Sequence, residues 1–180
     1  TGVAISIGPG SFTGLRIGLA TAKMLSYALS IPVVAVSSLE AMAYHYPVPG
    51  VYVASVLDAQ KSNAYFALYE WNGKGFDEKK QTCVMDFEEV VKYCSTLDKP
   101  VVFVGDIAQK KADIIAQYEN VSLGLPHLCM PRASNVAMAA KVRFENEDYD
   151  NIMDLEPVYI RRSEAEVLWE KRHGEKLTDL

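Results

Sequence analysis

Cysteine is scarce: Cys83, Cys94 and Cys129 are the only three in 180 residues, and no two form a Cys-x-x-Cys pair. An odd, unclustered set argues against a disulfide framework or a zinc site and fits reduced thiols in the cytoplasm. Long hydrophobic runs are missing too. No stretch reaches the about 18 apolar residues of a membrane helix, and no basic region precedes an apolar core near the N-terminus. The expected location is therefore cytoplasmic, with no membrane partner. Basic charge is in short supply, the formal net charge being −5, which speaks against a free-standing nucleic-acid binder. The pairs Lys79-Lys80, Lys110-Lys111, Arg161-Arg162 and Lys171-Arg172 are scattered among acids and read as solvated surface. The histidines are His45, His127 and His173, and no two are spaced to share one helix face. Metal catalysis lacks its ligands on this count, and a serine or cysteine nucleophile lacks a nearby base. His45 reads as a surface or hinge residue. Short repeats and low-complexity tracts are absent.

What is present is an apolar chain, 49% hydrophobic, enough for one large core or two small ones. Its most informative stretch is Val3–Ile31. The β-branched run Val3-Ala4-Ile5-Ser6-Ile7 predicts a buried strand. Gly8-Pro9-Gly10 breaks it, and Ser11 or Thr13 is placed to cap a helix from about Gly14 to Leu29. That capping role explains Ser11 better than a nucleophile does. The helix carries only Arg16 and Lys23, seven apart on one stripe. Ile17, Met24 and Ala28 form one apolar row, Leu15 and Leu19 a second, and Gly14, Gly18 and Ala22 a third of small residues. An interior helix glycine costs roughly 1 kcal/mol against alanine, so two of them call for a packing reason. Two readings stand: a core helix pressed onto its own sheet, or a small-residue row that meets a helix of another subunit. Nucleotide motifs fail on spacing. Leu15-Arg16 follows Gly14 where a P-loop needs Lys-Ser/Thr, and Gly8, Gly10 and Gly14 are one residue too wide for the dinucleotide fingerprint.

Further along, Pro32–Val36 reads as a strand and Ser38 as the cap of a short helix, Leu39–Tyr44. A proline-rich connection, His45-Tyr46-Pro47-Val48-Pro49-Gly50, follows. Strands are expected at Val51–Leu57 and Ala64–Trp71. Asn72-Gly73 signals a hairpin into a third strand, Phe76–Val84. Asp86 caps a helix through Cys94; then come a strand at Pro100–Gly105, a helix at Ile107–Tyr118, a short strand at Val121–Leu123 and a helix at Asn135–Glu145 capped by Ser134. The tail Arg162–Leu180, with Ala165, Leu168 and Trp169, reads as a short amphipathic helix. Three strands followed by alternating helices and strands is the order of a ribonuclease-H-like domain, and a helix and strand of a second such unit precede it.

The run Gly8-Pro9-Gly10-Ser11-Phe12-Thr13-Gly14-Leu15-Arg16-Ile17-Gly18-Leu19-Ala20-Thr21-Ala22-Lys23 resembles the signature of the bacterial TsaB family, also called YeaZ. Pro32-Val33-Val34-Ala35-Val36-Ser37-Ser38-Leu39-Glu40-Ala41 continues the likeness, and Glu156-Pro157-Val158-Tyr159-Ile160-Arg161 resembles the family's closing segment. The resemblance implies an α/β fold of tandem ribonuclease-H-like domains, the actin-like ATPase (ASKHA) architecture. Residues 1–47 would be the C-terminal part of a first, incomplete domain, 48–150 the second domain and 151–180 a tail. The family ordinarily has a strand hairpin, a third strand and a helix ahead of this point, so the chain is expected to lack its front. The function implied is that of a non-catalytic scaffold in the machinery that makes threonylcarbamoyladenosine beside the tRNA anticodon. It would be an inactive, glycoprotease-like (peptidase M22-like) homologue that pairs with and activates the catalytic paralogue TsaD. TsaE is a further partner, pairing with itself uses the same surface, tRNA is met only through the complex, and no cofactor is needed. The interface residues expected are Gly14, Leu15, Gly18, Leu19 and Ala22.

Actin-like ATPases hold Mg-ATP with an acid at the first strand of each domain. Here the corresponding acid is Asp58 in Leu57-Asp58-Ala59, followed by Gln60 and Lys61, and the fourth strand ends in a single glycine, Gly105. A vestigial nucleotide or metal side at Asp58 and Gly105 is one reading. The favoured reading for Asp58 is a turn cap through Ser62 or Asn63. The alternative function is accordingly an ATPase or small-molecule kinase of the same fold, with Asp58 on its metal side.

Overall fold

A computed structural model describes residues 1–160 of the chain; the helix expected over Arg162–Leu180, with Trp169 as its anchor, lies outside them. The elements run β1 (Val3–Gly8), α1 (Phe12–Leu29), β2 (Val33–Ser37), α2 (Ser38–Ala43), β3 (Tyr52–Asp58), β4 (Asn63–Trp71), β5 (Phe76–Asp86), α3 (Phe87–Ser95), β6 (Val101–Val104), α4 (Asp106–Lys110), α5 (Ala112–Ile115), β7 (Val121–Leu123) and α6 (Ala133–Glu145). They build a mixed α/β fold with two sheets. One is the parallel pair β1-β2; the other has five strands in the order β5-β4-β3-β6-β7. In the larger sheet β4 is antiparallel to both neighbours, while β6 and β7 join β3 in parallel.

One face of the larger sheet carries the main core, where Phe66 and Phe103 pack against Phe87, Val90 and Val91 of α3 and Ile107 of α4. The other face, through Val53, Ala67 and Tyr69, meets Leu39, Met42 and Ala43 of α2. Ala41, on the opposite side of α2, joins Val34, Val36 and the α6 residues Val136, Ala139 and Ala140. A six-residue helix without intrinsic stability is thus held between the two sheets by burial on every side.

Several local details depart from the sequence reading. The cap of α1 is Ser11, whose Oγ accepts from Gly14 N at 3.3 Å, and the helix opens two residues before Gly14. The cap of α2 is Ser37 rather than Ser38; Ser38 is turned to β1, its hydroxyl 2.7 Å from that of Ser6. Ser134 lies inside α6, which starts at Ala133 with no side-chain cap. The hairpin at Asn72-Gly73 is a wider loop, because Asn72 Oδ1 accepts from both Lys74 N and Gly75 N. The helix expected over Ile107–Tyr118 is broken at Lys111, where φ is −120°. The break lets Ile107, Ala108 and Ile115 all face one core.

Gly105 links β6 to α4 where no other residue fits. Its φ is +139°, and a Cβ there would lie 1.6 Å from the Val56 carbonyl oxygen of β3. This backbone approach accounts for the single glycine after the strand. Gly105→Ala should cost about 3 kcal/mol or more, read as a loss of stability in urea unfolding; an unchanged midpoint would show that the crossing can relax.

Candidate functional site

Helix α1 is where the charge pattern of the sequence becomes a surface. Its buried side is Leu19 (5% exposed), Ala22 (3%) and Ser26, with Leu19 packed on Val3, Ile5 and Ile7 of β1 and on Val33 and Leu155. Gly18 belongs to that side, since a Cβ added to it would meet Ile5 Cδ1 at 3.4 Å. Leu15 is half-buried beside Gly8, and of the five expected interface residues only Gly14 is exposed. Leu19 of the second row and Ala22 of the small-residue row are thus buried within this chain. The small side chains let α1 settle close onto its own strand. The row that faces solvent is the other one: Ile17 and Met24 are each 64% exposed, flanked by Leu25, Tyr27 and Leu29.

Both cations of α1 are held away from that row. The Arg16 guanidinium lies 4.0 Å from the centre of the Phe12 ring, and its Nε donates to the Tyr159 hydroxyl at 2.9 Å. Lys23 Nζ donates to the carbonyls of Leu155 and Met153 at 3.1 and 3.4 Å. The segment Met153–Tyr159 thus binds every charge on the helix, leaving an uncharged apolar stripe outward. Scattered exposed leucines need no explanation, but a contiguous stripe of this kind marks an interaction surface.

Beside the N-terminus of α1 opens a cleft of about 840 Å³, with Phe12 and Tyr159 on one wall, Asp58 and Asp106 on another and Met130-Pro131 at the rim. Asp58 ends β3. One of its carboxylate oxygens accepts from Gln60 N at 2.8 Å, holding a turn in which Gln60, Lys61 and Ser62 all have positive φ. The turn-capping role is thus present, with Gln60 as partner instead of Ser62 or Asn63. The other oxygen accepts from Lys110 Nζ at 2.9 Å. Lys110 also reaches Asp106 at 3.2 Å, and Asp106 accepts from Asp58 N at 2.9 Å. The Lys110 ammonium, with the Gln60 amide second, holds the Asp58 carboxyl below the ordinary carboxylate range. Lys110 was not singled out from sequence, although its spacing of four from Asp106 was the available signal. Gly105 stands behind this cluster as the backbone crossing already described.

His45 ties the rim down. Asn135 Nδ2 donates to its Nδ1 at 3.1 Å, so Nε2 carries the proton and donates to the Met130 carbonyl at 3.0 Å. Cys94 is fully buried, and burial pushes its thiol up to about 12, an inert core group. Among the described residues no cluster of His, Cys, Asp and Glu could hold a metal ion, and no helix is long and apolar enough to cross a membrane.

Residues 1–169 match the family model described as TsaD: tRNA N6-adenosine threonylcarbamoyltransferase. A Bacillus subtilis (strain 168) protein named tRNA threonylcarbamoyladenosine biosynthesis protein TsaB is 32% identical over 174 residues, 93% of this chain and 72% of that protein. The chain belongs to the TsaB family. An Escherichia coli (strain K12) member with the same name is 28% identical over 182 residues, 97% of this chain and 75% of its own length. The solved structure of YeaZ from Pseudomonas aeruginosa superposes with a TM-score of 0.70 over 86% of this chain and 70% of that one, at 24% identity, which shows the shared fold.

Replacing Lys110 by Met tests the ion cluster. A depressed folded-state pKa stabilises above the ordinary carboxylate value of about 3.9 and ceases to do so as pH falls through the lowered value. Lys110→Met should therefore move the Asp58 carboxyl titration upward in a carbon-detected NMR experiment. Stability at neutral pH should fall by no more than about 1 kcal/mol, because the pair is solvent-screened. A titration that stays where it was would remove Lys110 as the cause.

Proposed function

We propose that this chain serves in the biosynthesis of tRNA threonylcarbamoyladenosine as a non-catalytic subunit that docks onto TsaD through the outward row of α1. The observation that carries the proposal is the uncharged stripe of Ile17, Met24, Leu25 and Leu29, exposed on a helix whose two cations are both bound elsewhere. The relatives named for this biosynthesis supply the reaction; the stripe supplies the contact. Apolar, nearly straight and free of long polar side chains, it suits packing against a helix of a protein of similar fold. A second copy of the chain competes for the same stripe, TsaE joins the assembly, and tRNA is reached through the complex, in the cytoplasm. Two tandem ribonuclease-H-like units, with residues 1–47 in the first and 48–150 in the second, complete this reading.

The non-catalytic part rests on the cleft. The acid that an ATPase or kinase of this architecture would turn to a metal-bound water is taken by an ammonium group of the same chain and by a turn amide. Asp106, the second acid on that wall, shares the same ammonium. Nothing in this arrangement favours the ATPase reading over the scaffold.

Ile17→Glu combined with Met24→Glu should lower affinity for TsaD at least about tenfold, the range of a central apolar anchor, and abolish threonylcarbamoyladenosine formation in a reconstituted system. The thermal midpoint should not fall, both positions being exposed. Wild-type co-purification and activity of the double variant would sink the assignment of this face.

A further inference from the structure

Arg16 is bound through one nitrogen and aimed by two rings. Its Nε donates to the Tyr159 hydroxyl at 2.9 Å, and its Cζ lies 4.0 Å from the centre of the Phe12 ring and 5.8 Å from that of Tyr159. The rings pack on each other with their centres 5.1 Å apart. These contacts hold the side chain in place, so less rotamer freedom is lost when something binds to it. A guanidinium carries its N–H groups in a rigid fork whose terminal nitrogens match a carboxylate. Among the described residues, the terminal nitrogens of Arg16 meet no acceptor. The part of the group best suited to an anion is the part left over.

The placement of this cation is otherwise unfavourable. Helical side chains lean toward the N-terminus, and the Arg16 guanidinium lies over Phe12, the first residue of α1. That is the positive end of the helix dipole, and the first turn has no acidic residue to offset it. Lys23, two turns on, gives its hydrogen bonds to carbonyls. Between the two cations is a notch of about 400 Å³, floored by Leu19 and the exposed Ala20 and walled by Leu155, Pro157 and Tyr159. One acid, Glu156, lines it and pairs with neither cation. The notch opens on the β2 side of α1, because Leu155 packs on Val33 and the chain reaches it from Asp150, which is bonded to Val33 and Ala35. It also borders the outward row: Ile17 follows Arg16 and Met24 follows Lys23 around the helix.

We propose, resting on the docking reading above, that Arg16 receives an Asp or Glu carboxylate from the protein that packs on the outward row of α1. An apolar row by itself lets two helices slide; a forked ion pair at one end of it fixes their register. The ligand is a single carboxylate of a protein. A polyanion such as a nucleic-acid backbone would meet the Glu156 carboxylate in the same notch and a chain of net charge −5.

The test is the affinity of the whole chain for TsaD, measured from low to high salt. Arg16→Gln should weaken binding at least about tenfold at low salt and flatten its salt dependence. Arg16→Lys keeps the charge and loses the fork, and should stay several-fold weaker than the unaltered chain. If Arg16→Gln binds as tightly as the unaltered chain while the Ile17/Met24 double variant does not bind, the ion pair is overturned and the docking row stands. If the double variant binds normally as well, both fall. A loss of the same size at every salt concentration also overturns the ion pair, since it would make Arg16 a brace for Tyr159 alone. Should Arg16→Gln fail to fold, Arg16→Lys decides: full affinity at an unchanged thermal midpoint overturns the proposal.

Discussion

The structure depends on the burial of α2. Leu39, Ala41, Met42 and Ala43 are without exposure, yet they do not face one core. Three of them pack on the five-stranded sheet and Ala41 packs toward β2 and α6. A helix this short has no stability of its own, so the geometry between the two sheets is set by what fits around it. The aromatic cluster of Tyr44, Tyr69, Trp71 and Phe76 closes the arrangement on the side of β4 and β5. The cleft is what remains open at the other end, between the turn that starts α1 and the ends of β3 and β6. Its walls are therefore fixed by an apolar contact some distance from any polar group that lines it.

Much of this was legible in the residues. An apolar run placed β3, alternating aromatics β4 and the Asn72-Gly73 signal β5; Ser11 and Asp86 announced their helices, and the near absence of charge identified α1 as unusual. What the sequence could not settle was which side of α1 turns inward. Three rows run along the helix, all of them apolar or small, and periodicity alone treats them as equivalent. The choice was made by atoms distant in sequence: the carbonyls of Met153 and Leu155 draw in Lys23, Tyr159 draws in Arg16, and their stripe orients the rest. Gly18 then lies against Ile5, and the row of Ile17 and Met24 is left to solvent. Gly18 has a packing neighbour in Ile5 of the chain's own sheet, whereas Gly14 is exposed and lies beside Ser11 alone.

The cleft teaches the same lesson through charge. Asp58 and Asp106 lie 48 positions apart along the chain and meet only because β3 and β6 are neighbours. Read singly, Asp58 invited comparison with a metal-side acid. Read with Lys110, it is one of two carboxylates gathered around a single ammonium of the same chain. Gly105, read from sequence as a possible remnant of a ligand site, stands where two backbones cross. Both residues were well chosen as unusual; their explanation lies in contacts that no spacing rule encodes.

The imidazole of His45 has a consequence for the cleft rim. One nitrogen accepts from Asn135 on α6 and the other donates to Met130, so a single neutral ring spans two hydrogen bonds of opposite polarity. The same Asn135 amide nitrogen also donates to the Ala41 carbonyl of α2 at 3.0 Å. One imidazole and one amide thus join the rim, α2 and α6, so the cleft's mouth is braced by the same pair of elements that separates the two sheets.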